Sequence, residues 1–205
     1  MGTTSKMGIP YPENTDLVTN GATAMKDISN QVDLRSGFVK MIPTSATNGT
    51  VSANGDVTIG SAVSTVTVNG AFSSAFANYK ILVSGGTCSV ARTSLTIQLG
   101  SSTASYKSQI IYGSYNNTLT GGGPGFSNVF LWVGNALSNT LSMDCTLIGP
   151  NLAKHTKAIA AWVSDIDAGT TSAIHTVATA YTSFILGLET AATMTGGTIQ
   201  VYGYN

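Results

Sequence analysis

Residues Thr140–Val163, TLSMDCTLIGPNLAKHTKAIAAWV, decide the fold. Thr140–Ile148 reads as a strand, Gly149-Pro150-Asn151 as a turn, and Thr156–Val163 as a second strand. Only Ala158–Ala161 competes, because alanine is the best helix former. Trp162-Val163 and the preceding threonine fit a pleated surface better. With this stretch read as strand, turn and strand, no helix interrupts the chain after Phe38.

Further strands follow on either side. Asn78–Ser84 (NYKILVS), Thr93–Leu99 (TSLTIQL), Tyr106–Gly113 (YKSQIIYG) and Asn128–Val133 (NVFLWV) precede it. Ser172–Tyr181 (SAIHTVATAY), Ser183–Leu188 (SFILGL) and Thr198–Tyr204 (TIQVYGY) come after. Turn signals separate them at Gly85-Gly86, Asn116-Asn117, Gly121–Gly125, Gly169 and Gly196-Gly197. Short strands about ten residues apart, with no helix between them, predict a mainly β chain with a sandwich or jelly-roll domain over residues 70–205. Residues 38–69 read as a small β connector. There Asn48-Gly49 and Asn54-Gly55 signal hairpin turns, and Ala62–Val68 alternates cleanly.

The N-terminal segment has a different character. Residues 1–12 form an extended arm, and Asp16, Thr19 and Asn20 are alternative caps for a helix over Ala22–Leu34. Met25, Ile28 and Val32 make one narrow apolar stripe on it. A helix of this length is marginal alone in water. Either it packs on its own β domain, or copies meet around a symmetry axis as short coiled coils do.

Composition bounds the function. Charged residues are 9% of the chain, against roughly 25% in typical soluble domains. Hydrophobic residues reach 42%, too many for a disordered chain. Nine basic residues cancel nine acidic ones, and no Lys/Arg run marks a nucleic-acid surface. A neutral, charge-poor surface favours burial in an assembly. The N-terminal residues carry Lys6 and no apolar run, so no signal peptide is expected. The longest apolar stretches, Phe130–Val133 and Phe184–Leu188, fall short of the roughly 18 residues a membrane helix needs. Cys88 and Cys145 are expected as buried free thiols in preference to a disulfide, given the lack of an export signal. A metal role is not expected, because neither has a His or second Cys at ligand spacing.

Catalytic signals are weak. His155 sits between lysines in a turn, and His175 lies mid-strand, where exposure or a backbone hydrogen bond is the ordinary account. Asp165 and Asp167 could serve a Ca²⁺ site or a two-carboxylate hydrolase, but a polar turn fits better. Gly121–Gly125 lacks the Lys-Ser/Thr of a P-loop. No catalytic residue, metal ligand or cofactor site is assigned, and no enzyme is expected. Tyr112, Tyr115, Asn116, Asn117 and Phe126, in and around the loop Ser114–Gly125, offer aromatic platforms with amide partners, the mixture that binding loops use. Trp132 and Trp162 lie inside strand runs and are expected in the core.

The N-terminal pattern GIPYPENTDLVTNGATAMKDISNQVD resembles the virion-proximal segment of tailed-phage short fibre and minor tail proteins. GAFSSAFANYKILVS (Gly70–Ser84) and the ending GGTIQVYGYN resemble the entry and closing strands of their distal domains. The resemblance implies a homotrimeric virion protein made in the host bacterial cytoplasm. Residues 1–37 would dock on other virion proteins, with Met25, Ile28 and Val32 at the trimer axis. The distal domain would meet a host surface glycan or protein. Two alternatives stay open: a capsid decoration or head-fibre protein with no receptor role, and a free-standing carbohydrate-binding module.

Overall fold

The computed structural model describes residues 2–3, 10–11, 21, 23, 25–28, 37–116, 119–123 and 127–205. The chain divides into two compact units, Met1–Val39 and Lys40–Asn205. In the first, strands β1 (Gly2–Thr3) and β2 (Pro10–Tyr11) pair antiparallel. Gly21, Thr23 and residues 25–28 are helical. On that helix Met25 is 72% exposed and Ile28 is half-buried, while Val32 lies outside the described residues.

Strand β3 (Val39–Lys40) spans the boundary between the units. The second unit then carries β4 (Ser45–Thr47), β5 (Gly49–Val51), β6 (Val57–Ile59), β7 (Thr65–Asn69), β8 (Asn78–Gly85), β9 (Thr87–Cys88) and β10 (Arg92–Leu99). Next come β11 (Tyr106–Ser114), β12 (Leu119–Gly122), β13 (Phe130–Leu137), β14 (Thr140–Ile148), β15 (Thr156–Val163) and β16 (Asp167–His175). Strands β17 (Phe184–Leu188), β18 (Met194–Thr195) and β19 (Thr198–Tyr204) complete it. The chain is mainly β, built from antiparallel pairs.

Strand β14 is where the main sheet forks. One edge pairs with β8 along Leu141–Ile148. The other edge is shared: its first half pairs with β13 and its second half, Asp144–Ile148, with β15. One branch continues β15-β16-β11-β12, and the other β13-β10-β17-β7-β4. Side chains close the fork. Tyr106 on β11 meets Phe130 on β13 edge-on at 4.9 Å, and its hydroxyl accepts the Leu99 N–H of β10 at 2.8 Å. The two branches therefore turn their apolar faces toward one another. Phe72 joins Tyr79 of β8 to Phe184 of β17, with ring centres 4.8 and 5.7 Å away.

Period-two burial follows from strand geometry. Strand β14 buries Leu141, Met143, Cys145 and Leu147, and β15 buries Thr156, Ala158, Ala160 and Trp162. Each large apolar side chain so buried contributes about 1.5–3 kcal/mol relative to exposure. The residues at 40–69 join this same sheet: β6 pairs with β19 and β7 with β17. Asn54-Gly55 turns the β5–β6 hairpin, with Gly55 at φ +85° and its N–H on the Ser52 carbonyl at 3.0 Å. Asn48-Gly49 makes a corner instead of a hairpin, because β4 pairs with β7 while β5 pairs with β6. Only Asn48 of that pair takes positive φ, +61°.

Two further expectations are corrected. Part of the loop expected over Ser114–Gly125 is strand β12, paired with Ile110–Gly113 of β11. Gly169, expected in a turn, lies inside β16, and that strand ends at His175 and not at Tyr181.

Candidate functional site

The strongest site begins with a bulge. Leu95 of β10 faces Gly134 of β13, and Ile97 faces Phe130. Between these pairs β10 supplies only Thr96, while β13 supplies Leu131, Trp132 and Val133. Such an insertion bends the strand and re-aims a side chain. Trp132 sits in it at φ +57°, a left-handed conformation that a bulky residue adopts at a cost of roughly 1–3 kcal/mol. Its carbonyl accepts the Thr171 hydroxyl of β16 at 2.6 Å, which holds the bulge against the facing branch.

Three rings gather there. Trp132 lies 5.3 Å from Tyr112 and 5.5 Å from Trp162, the latter edge-on, and Tyr112 lies 6.1 Å from Trp162. Gly169 stands between Tyr112 and Trp162 in register, on the strand that separates them. A Cβ at Gly169 would come within 2.6 Å of both side chains. Glycine inside a strand here marks close approach of neighbours.

Polar groups converge on the same place. A cleft of about 210 Å³ is lined by Trp132, Trp162, Asn135, Arg92, Asp167 and Glu189, with Thr93, Ser94 and Thr190. A hollow of about 270 Å³ is also lined by Trp132 and Glu189, with Ile110, Tyr112 and residues of β12. Arg92 Nη1 lies 4.0 Å from both Asp165 Oδ1 and Asp167 Oδ2, at the limit of an ion pair. Ser164 donates to the Asp167 carboxylate and fixes its orientation. The indole N–H of Trp162, in a side chain only 5% exposed, finds no hydrogen-bond partner. Leaving such a donor unsatisfied costs about 1–3 kcal/mol.

The residues expected at a binding loop divide. Tyr112 belongs to the cluster. Tyr115 is 57% exposed and is fastened to the β15–β16 turn, its hydroxyl donating to the Ser164 carbonyl at 3.2 Å. Asn116 is exposed beside it, while Asn117 and Phe126 lie outside the described residues. Trp162 is buried as expected, but Trp132 is only half-buried, and both line the cleft. Sequence reading put both tryptophans in the core because their strand runs conceal the bulge.

His175 takes the second of its two expected accounts, a backbone hydrogen bond and not exposure. It is fully buried, stacked on Tyr106 with ring centres 4.1 Å apart. Its Nδ1 faces the Ser105 carbonyl at 3.3 Å, so the proton sits there. Nε2 then accepts from Tyr181 Oη at 2.8 Å and Ser102 Oγ at 3.1 Å. The lone pair is divided between two hydroxyls, and Nδ1 meets a carbonyl where a catalytic triad has a carboxylate. Burial pulls the His175 pKa down and pushes Tyr106 up to about 12. Cys88 and Cys145 are both buried free thiols, and burial, with the charge of Asp144, pushes Cys145 up to about 12. His155 is exposed. No cluster of three or more metal-ligating side chains occurs among the described residues. Nor, among them, is any helix long and apolar enough to cross a membrane.

No protein-family model, curated protein or solved structure matches this chain.

Proposed function

We propose that this chain is a non-enzymatic virion structural protein, a short tail fibre or tail-tip component that presents its β unit for host attachment. The observation that carries the attachment half is the Trp132 cleft, where three aromatic rings and four planar polar side chains converge. Concave sites with aromatic walls and a few convergent polar groups are the usual form of ligand pockets. The phage setting is supported by the N-terminal pattern around GIPYPENTDLV.

The finer architecture proposed is a trimeric, jelly-roll-like sandwich docked through residues 1–37. Met25, 72% exposed in the single chain, is apolar surface that three packed helices would cover. Ile111, Ile159 and Val163 add exposed apolar area on one sheet face, a further reason to expect assembly. Light scattering should then give a mass three times the 21.0 kDa of the chain. A single-chain mass would contradict the trimer.

Competition tests attachment itself. Host cells preincubated with purified full-length chain should adsorb fewer particles bearing this protein, and a folded Trp132→Ala chain should not compete. If saturating amounts of the unmodified chain leave adsorption unchanged, the protein is a decoration or scaffold component instead.

A further inference from the structure

The cleft's chemistry narrows what can occupy it; the inference rests on the attachment reading for its setting, though its chemistry stands on the geometry alone. Trp132 and Glu189 are common to the two hollows, of about 210 and 270 Å³, each roomy enough for one hexose ring. Aromatic faces favour a ligand with flat, weakly polar C–H surfaces. Asn135, Arg92, Asp167 and Glu189 each present paired polar atoms in one plane, which suits neighbouring hydroxyls on a ring. The buried Trp162 N–H lacks an acceptor that a ligand oxygen reaching it would supply.

Charge sets the remaining choice. Asp167 and Glu189 outnumber Arg92 in the lining, so a carboxylate or phosphate on the ligand would be repelled. We infer that the cleft binds an uncharged oligosaccharide, with two adjacent pyranose rings straddling Trp132.

The chain's two tryptophans both line the cleft, so intrinsic tryptophan emission reports on this site and no other. The full-length chain is titrated with uncharged disaccharides, namely maltose, cellobiose, lactose and di-N-acetylchitobiose, with their monosaccharides and with sialyllactose. The expected result is a saturable emission change with at least one uncharged disaccharide, which binds more tightly than its monosaccharide. Trp132→Ala should weaken that binding about thirtyfold, as loss of an aromatic anchor does, and the exposed Glu189→Gln should weaken it less. Circular dichroism confirms that both variants are folded. Silence across the uncharged sugars, a response to sialyllactose alone, or cell binding abolished by protease but not by periodate would each overturn the inference. The attachment reading is judged separately. Competition for particle adsorption with no sugar response keeps attachment and discards the sugar, and sugar binding without competition does the reverse.

Discussion

The facing branches of the β unit hold two aromatic clusters that share strands β11 and β13, and the clusters are finished differently. At one end Tyr106 of β11, Phe130 of β13 and His175 of β16 pack with Tyr181, and every ring nitrogen and hydroxyl of His175, Tyr106 and Tyr181 has a partner. At the other end Tyr112 of β11, Trp132 of β13 and Trp162 of β15 surround open space, with a strained backbone and an unpartnered indole N–H. Polar groups that are buried and satisfied specify a core. Polar groups left unsatisfied beside a cleft are poised for something that is not the chain itself. Thr156 Oγ1, in register with His175, and Ser108 Oγ are buried without partners too. It is therefore the open space and the strained Trp132 backbone that assign the second cluster to binding and the first to stability.

That division has measurable consequences. Tyr106→Ala should cost about 3–5 kcal/mol by urea unfolding, since it empties a fully buried site, while Trp132→Ala should cost less than half as much. Equal losses would erase the distinction. Gly169→Ala should cost about 1–3 kcal/mol, because its methyl must displace both Tyr112 and Trp162 and press on the Ile111 carbonyl, and it should shift tryptophan emission as the cleft walls part. An unshifted emission spectrum would mean that the rings do not close on that strand.

A smaller effect concerns pH. Burial favours the neutral His175 ring, so its folded pKa lies below the ordinary 6.5 and the unfolded chain binds the proton first. This contribution to stability is complete above about pH 6.5 and is lost as the pH falls through that value toward the lowered folded one. The repulsion from His155 acts in the same direction, and the bond to the Ser105 carbonyl opposes both. Urea midpoints should accordingly drop between about pH 7.5 and about pH 5, and more steeply than in His175→Gln, which cannot titrate there. Identical slopes would remove His175 from the account. The smallest expected signal is chemical: Cys145, buried and pushed up to about 12, should resist a thiol reagent in the native chain and react at once in urea.

Much of this arrangement could be read from the residues, and the exceptions share a cause. Thr140–Ile148 and Thr156–Val163 coincide with their predicted strands because side-chain pattern and turn residues are local properties. The branching at β14 is not local: one edge is divided between its sequence neighbours β13 and β15, and the other pairs with β8, about 60 positions earlier. The bulge at Trp132 is equally hidden, since two inserted residues leave FLWV looking like any buried run. Gly169 resembled a turn because a glycine required by two neighbouring rings looks no different in sequence from one required by φ. His175 could be placed on a strand, but its stack on Tyr106 depends on a pairing across 69 positions. Tyr112 was legible as part of a binding surface; its partners Trp132 and Trp162 became so only through register.

The central claim is that the Trp132 end binds while the His175 end holds the fold. It is tested most directly by measuring adsorption competition and urea unfolding together on two full-length variants, Trp132→Ala and Tyr106→Phe. Trp132→Ala should lose competition while keeping most of its stability, and Tyr106→Phe should lose stability while still competing under native conditions. Competition retained by a folded Trp132→Ala chain would contradict the claim.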